Sequence, residues 1–278
     1  VIVRARILLV VVLVGCAATR PTCPTPPVLA PGPAFLWKAQ RADGPVVWLF
    51  GTIHDAGLEL VPRVVLDALD GSPRFVSELG TAEADPDTRR ELSFLKSGKG
   101  IDFTLGDDWY DLRDTLRGRI KEDQLARARP WFALILLNNE GAPKTVSMDK
   151  LLGDRAGDKD KPVDNLESPE TQMRVLDSIV TVEDLREALH SHGRLSCDYQ
   201  TLTSTYAAGD LVAIEPMLVV PRTAEPLLFA RNRAWMPKLE SYFAGGAFVA
   251  VGLGHMLGDQ GLPALLAKAG YTVTRVQR

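Results

Sequence analysis

Ala247-Phe248-Val249-Ala250-Val251-Gly252-Leu253-Gly254-His255, close to the C-terminus, is an apolar run that ends in two glycines and a histidine. Near the start of the chain, Val46-Val47-Trp48-Leu49-Phe50 runs into Gly51-Thr52-Ile53-His54 in the same design. Each reads as a buried strand followed by Gly-x-x-His. The chain holds only four histidines, and two of them share this setting. The expectation is that the two strand ends meet in space and that the rest of the chain holds them together.

Around the first motif, Phe35-Leu36-Trp37-Lys38-Ala39-Gln40 reads as a strand, and Ala42-Asp43-Gly44-Pro45 turns it into a hairpin with residues 46–50. Val61, Val64, Val65, Ala68 and Leu69 then fall at helical spacing, with Pro62 in the first turn and Gly71 at the end. Arg74-Phe75-Val76-Ser77-Glu78-Leu79 follows as a third strand. Strand, helix and strand in this span make one βαβ unit, whose right-handed crossover leaves the two strands parallel. His54 and Glu78 therefore belong to the carboxyl rim of one sheet, where open α/β sheets bind ligands. Around the second motif, residues 262–269 read as a helix stopped by Gly270, and Tyr271-Thr272-Val273-Thr274-Arg275-Val276 alternates as a last strand. The middle is helical, from residue 85 to about residue 242, broken by a brief strand at residues 162–167. Within it, Phe132-Ala133-Leu134-Ile135-Leu136-Leu137 is apolar almost all round and is expected to be buried. The fold class is α/β: a central mixed sheet with βαβ half-repeats at both ends and a long helical middle section, in a single domain over residues 35–278.

The 278 residues are 46% hydrophobic and 24% charged, an ordinary globular composition. The net charge of −3 comes from signs mixed along the chain, with no basic block, which argues against nucleic acid as a partner. Residues 1–15 carry Arg4 and Arg6 before a short apolar run that ends Leu13-Val14-Gly15-Cys16, the layout of a secretory signal with a lipobox. Residues 16–34, rich in Pro, Thr and Ala, then form a tether from a lipidated Cys16. An exported protein anchored to the cell envelope is expected. Ala17 after the cysteine points to the outer membrane, facing the periplasm. Three cysteines make no disulfide framework; a Cys23–Cys197 bridge is open to an oxidising compartment, but nothing in the spacing selects it.

The chemistry rests on His54, Glu78 and His255. A glycine after a strand turns the backbone sharply and lets a ligand approach, so the histidine three residues on is aimed into the rim. Two imidazoles and one carboxylate can bind a divalent ion and leave positions open for water. Without a metal, Glu and His can activate water as a general base. Arg231, beside Asn232 and Arg233 in a helical segment, reads either as part of a solvated charged face or as a group that stabilises an oxyanion or a substrate carboxylate. His190 and His192, two apart on a helix, point to nearly opposite sides and suit the helix C-terminus better than a metal.

At these residues the chain resembles the TraB/GumN family, whose animal relatives are the Tiki proteases. The resemblance runs from about Phe35 to Val276. It is carried by Gly51-Thr52-Ile53-His54, Glu78, Pro130-Trp131, Leu166-Glu167-Ser168-Pro169-Glu170-Thr171-Gln172, Tyr206-Ala207-Ala208-Gly209-Asp210, Arg231-Asn232, residues 248–258 and Gly270-Tyr271-Thr272-Val273. It implies a fold similar to the erythromycin esterase and haem-binding ChaN proteins, and an active site built from the two Gly-x-x-His motifs and a Glu. Tiki relatives act as divalent-metal-dependent proteases on secreted Wnt ligands, and TraB is associated with shutting down a peptide pheromone. Carried over, His54, Glu78 and His255 become catalytic and metal-holding residues, with Arg231 and Asn232 beside them. Asn165 stands where family members often have Gly before the Leu-Glu pair, which leaves Glu167 without an assigned role.

The leading expectation is a metal-dependent hydrolase acting on a peptide or protein substrate, with Mn, Co or Zn as its ion. The alternatives are a haem- or iron-binding lipoprotein of the ChaN kind and a metal-free esterase.

Overall fold

The structure, a computed structural model, describes residues 23, 32–79 and 83–277. The secretory signal, the lipobox at Cys16 and most of the tether lie outside the described residues. Among those described, no helix is long and apolar enough to cross a membrane.

Six strands form one sheet: β1 Leu36–Gln40, β2 Val47–Thr52, β3 Phe75–Ser77, β4 Val163–Asn165, β5 Ala247–Gly252 and β6 Thr272–Arg275. Their order is β4-β3-β5-β2-β1-β6. The first four in this order run parallel, β1 is antiparallel to β2, and β6 is antiparallel to β1. The expected mixed α/β fold is therefore present, with β1–β2 as its hairpin. β2 and β3 are parallel, as the crossover through helix Arg63–Gly71 requires. They are not neighbours, because β5 inserts between them. This is why β5 carries no polar residue: all five residues 247–251 are fully buried, packed on both faces and paired on both edges. Phe248 packs between Phe50, tilted at 6.0 Å, and Phe75, stacked at 6.3 Å, and burying such a ring contributes roughly 1.5–3 kcal/mol.

The strand bounds shrink relative to the periodicity. Arg74, Glu78 and Leu79 fall outside β3, and the strand expected at 162–167 keeps only Val163–Asn165. The middle section is helical and forms a second apolar cluster around Trp109, Leu112, Leu125, Leu137 and Leu185. Its helix Pro130–Gly141 is less buried than its composition suggests. Ala133 and Leu137 face the cluster, whereas Ile135 is 36% exposed. Phe132, Leu134 and Leu136 pack half-buried against the same cluster, so the run is covered on every side but that of Ile135.

Cys23 and Cys197 are joined by a disulfide. The bridge ties the tether to the start of helix Leu195–Ala208, far along the chain. Spacing could not select it because the partners meet only through the fold. Cys197→Ser is expected to lower stability by about 2 kcal/mol, and the melting temperature by roughly 4–8 °C. Calorimetry with and without reductant checks this. A variant that melts like the wild type, or a wild type indifferent to reductant, contradicts it.

Candidate functional site

The parallel order β3-β5-β2 places three carboxyl ends side by side, and each is followed by a candidate residue: Glu78 after β3, His255 after β5 and His54 after β2. The register pairs Gly51 with Val251 and Thr52 with Gly252, so the two glycine motifs leave the sheet together. The 3-10 turn Leu253–Met256 folds back over β2. A Cβ on Gly51 would stand 2.4 Å from Leu253 Cδ1 and 3.1 Å from its Cα, so only glycine admits this turn. A Cβ on Gly252 meets something different: 3.2 Å to His54 Nε2 and 3.8 Å to Glu78 Oε2. Gly252 thus lines a small gap faced by a nitrogen of His54 and an oxygen of Glu78.

His255 is 3% exposed. Its Nδ1 lies 2.7 Å from Asn232 Oδ1, while the Asn232 amide nitrogen donates to the carbonyls of His255 and Gln260 at 3.1 and 2.9 Å. The amide orientation leaves its oxygen as the acceptor, so Nδ1 carries the proton and Nε2 presents a lone pair. That nitrogen is 3.9 Å from Glu78 Oε2 and 3.3 Å from Arg231 Nη1. Trp235 covers the ring at 4.5 Å between centroids. Burial, with Arg231 and His54 nearby, lowers the pKa to about 3 against the pull of Glu78, so the imidazole is neutral near pH 7.

Glu78 is 6% exposed. Its Oε1 accepts from Arg231 Nη2 and, at 2.8 Å, from Gln172 Nε2. Among the described residues, its Oε2 accepts a hydrogen bond only from the Gly252 amide, at 3.4 Å. Burial opposes ionisation here, but His255, Arg231 and His54 outweigh it and bring the pKa to about 2. With His255 neutral near pH 7, Arg231 and His54 supply that compensation.

His54 differs from the other two, since its side chain is 59% exposed. Its Nδ1 is 2.7 Å from Asp149 Oδ2, and Asp149 Oδ1 accepts from Thr52 Oγ1 at 2.7 Å. The concave surroundings disfavour the cation, but the bond and charge of Asp149, with Glu78 and Asp55, raise the pKa to about 9. Water reaches the ring from a cavity of about 1080 Å³ that opens at His54 and Glu78.

Arg231 is 7% exposed, so it does not belong to a solvated face; Arg233 beside it does. Its guanidinium clamps two carboxylates, with Nε 3.1 Å from both Glu167 oxygens and Nη2 on Glu78 and, at 2.5 Å, on Glu167. Nη1 takes the Leu227 carbonyl at 2.7 Å and faces His255. All five N–H groups are engaged within the protein, so the residue is held as a strut under Glu78. Leu227 lies in a five-residue π-helical segment, Glu225–Phe229, just before helix Ala230–Ser241. Glu167, left without a role by the sequence, is the second carboxylate of this clamp and also accepts from Trp235 Nε1 at 3.2 Å.

The structure thus brings Glu78, His255 and Arg231 into contact and sets His54 across the Gly252 gap from Glu78. His190 and His192 lie elsewhere, at the C-terminal end of helix Val182–Ser191 as expected, where they pair with Asp108 at 2.8 Å and the Leu137 carbonyl at 3.1 Å. Asp149 and Trp235 were missed by the sequence reading. An aspartate in the first turn of Met148–Gly157 is favoured there by the helix dipole, so its presence carried no signal.

The donor chemistry fits a divalent ion. Both imidazoles have Nδ1 anchored on an oxygen, the usual support of metal-ligating histidines; His54 Nε2 faces the Gly252 gap, whereas the lone pair of His255 Nε2 is turned to Arg231 Nη1 at 3.3 Å. With neutral imidazoles, Glu78, Glu167 and Asp149 exceed Arg231 by two negative charges. Among the described residues, no three His, Cys, Asp or Glu side chains close on one point as they stand.

No curated protein and no solved structure matches the chain significantly. A model of the TraB/PrgY/gumN family matches residues 35–275, from the start of β1 to the end of β6 and through every residue of the rim just described. The chain belongs to the TraB/PrgY/gumN family.

Proposed function

We propose that this protein is a metal-dependent hydrolase that cleaves peptide bonds, with His54, Glu78 and His255 as the residues that hold a divalent ion such as Mn²⁺, Co²⁺ or Zn²⁺. One observation carries the reading: two imidazoles, each anchored through Nδ1, flank one carboxylate, with His255 Nε2 3.9 Å from Glu78 Oε2 and His54 Nε2 facing the same oxygen across the Gly252 gap. The ion's contribution is to acidify water and polarise the scissile carbonyl. The chain's own residues do the rest. Arg231 and Gln172 fix Glu78 Oε1, leaving Oε2 turned to the gap. Trp235 and Asn232 fix the His255 ring and keep solvent from it. His54, open to the cavity and held through Nδ1 by Asp149, would hold the ion through Nε2 on the side from which substrate arrives.

Protonation states support a metal over direct base catalysis. A metal-free route needs a proton acceptor poised near the working pH. Glu78 near 2 and His255 near 3 are too weak as bases, and His54 near 9 is already protonated at neutral pH. The negative surroundings that raise His54 also favour a metal in the proton's place. The Cys23–Cys197 disulfide supports an oxidising compartment, in keeping with export to the envelope.

Stripping the protein with chelator and adding Mn²⁺ or Co²⁺ is expected to restore cleavage of a peptide library at least about tenfold, an increment of about 1.4 kcal/mol in the barrier. Elemental analysis of wild type and His54→Ala should show the ion bound by the first and depleted in the second. Failure to cleave any library peptide with metal present overturns the reading.

A further inference from the structure

The cavity at His54 and Glu78 runs on between helices Met148–Gly157 and Pro169–Ile179, over β3 and β4. Its wall is one face of the first helix, from Asp149 to Asp158. At 1.5 Å per residue that face is about 13 Å long, the length of about four extended residues. Gly153 and Gly157 stand on it one turn apart. A Cβ on Gly153 would make only an ordinary 3.7 Å contact with Phe75, and one on Gly157 would meet nothing within 4 Å. Packing therefore requires neither glycine, although each disfavours the helix by about 1 kcal/mol relative to alanine. Their effect is to keep the cavity wide.

The lining has two chemistries. Phe75, Val163 and Leu176 make an apolar floor, and Val163 is 40% exposed there, although it sits in a strand. Glu83, Asp154 and Asp158 stand around it. Lys150 is the one lysine or arginine among the described lining residues, and it is committed to Asp154 at 2.7 and 2.8 Å. Glu83 and Asp158 enter no ion pair among the described residues. An apolar floor beside unmatched carboxylates suits a chain that alternates an apolar and a cationic side chain.

We propose that this cleft binds the substrate on one side of the scissile bond as an extended peptide of about four residues, with an apolar side chain over Phe75 and Val163 and a lysine or arginine at Glu83 and Asp158. The inference rests on the hydrolase reading for its reaction but not for its binding. Three fluorescein-labelled octapeptides, identical except for Lys-Leu, Ser-Leu or Glu-Leu at the centre, test it by anisotropy on the full chain. The Lys-Leu peptide is expected to bind at least about tenfold more tightly than the Glu-Leu peptide, with a preference that weakens as salt rises. Glu83→Gln with Asp158→Asn should erase the preference. Gly157→Leu should weaken all three peptides at least about tenfold, while the melting temperature holds or rises because leucine favours the helix. Equal affinities for the three peptides, no measurable binding, or wild-type binding by Gly157→Leu overturns the proposal. Cleavage is followed in parallel. Charge-selective binding without cleavage upholds the cleft and counts against the hydrolase, whereas cleavage without charge preference does the reverse.

Discussion

Arg231→Leu is expected to lower the melting temperature by about 10 °C at pH 7, as expected for 3–5 kcal/mol lost in a domain of this size. The guanidinium, Glu78 and Glu167 have side chains only 8, 8 and 6% exposed, so removing the cation strands two carboxylates where water cannot solvate them. The loss depends on pH in a defined sense. In the wild type Glu78 sits at about 2, below its ordinary 4.5. Its ionised form therefore stabilises the fold fully above about pH 4.5, and that contribution disappears as pH falls toward 2. Burial is the largest influence on Glu78 and acts in the opposite direction. Without Arg231 the carboxyl loses a charge and a hydrogen bond that hold its pKa down against burial, so the pKa rises and ionised Glu78 stabilises the fold less, a loss that protonation relieves. The gap between variant and wild type should be widest at pH 7–8 and narrow toward pH 5. Adding Glu78→Gln and Glu167→Gln to Arg231→Leu should recover much of the loss, because a neutral cluster leaves no stranded charge. Thermal unfolding from pH 5 to 8 decides the matter. A gap that does not change with pH, or no recovery in the triple variant, would show that Arg231 matters only for packing.

What the sequence disclosed, and what it hid, follows from where each signal is stored. Residues 247–251 announce a strand buried on both sides because burial on both faces removes every polar residue, and all five are fully buried. The parallel relation of β2 and β3 follows from one short crossover. Strand order is not local, however: nothing in residues 46–79 records that β5 lies between β2 and β3, so from sequence the approach of His255 to Glu78 rests on the half-repeat of the motif and on the family resemblance. The same holds for Asp149. Its bond to His54 joins residues 95 positions apart, and its own surroundings are those of any acidic residue opening a helix. Arg231 shows the reverse error available to pattern reading. Flanked by Asn232 and Arg233 it resembles a solvated stripe, yet Arg231 and Asn232 turn inward to hold Glu78 and His255 while Arg233 faces solvent. Helical periodicity assigns faces by composition, and a buried ionic clamp violates it where a site is being supported.

The two motif glycines should fail in different ways when replaced by alanine. At Gly51 the added methyl meets Leu253 Cδ1 at 2.4 Å and the Leu253 backbone at 3.1 Å, so Gly51→Ala must displace the turn that carries His255 and should destabilise the fold. At Gly252 the backbone, φ −49° and ψ 135°, suits any residue. Its nearest obstacle is His54 Nε2 at 3.2 Å, on an exposed ring that can give by the few tenths of an ångström needed without leaving Asp149. Gly252→Ala should therefore melt within a few degrees of the wild type. The methyl nevertheless occupies the gap between His54 and Glu78, where an ion, a water or the reacting carbonyl has to stand. Displacing reacting groups by about 1 Å is enough to reduce turnover about 100-fold, and filling the gap should do at least that. Metal uptake by elemental analysis and library cleavage with Mn²⁺ should fall together in Gly252→Ala at unchanged melting temperature. Gly51→Ala should lose activity only in step with its stability. If Gly252→Ala cleaves and binds metal as the wild type does, the space between His54 and Glu78 is not where the chemistry happens, and the grouping of His54 with Glu78 and His255 falls with it.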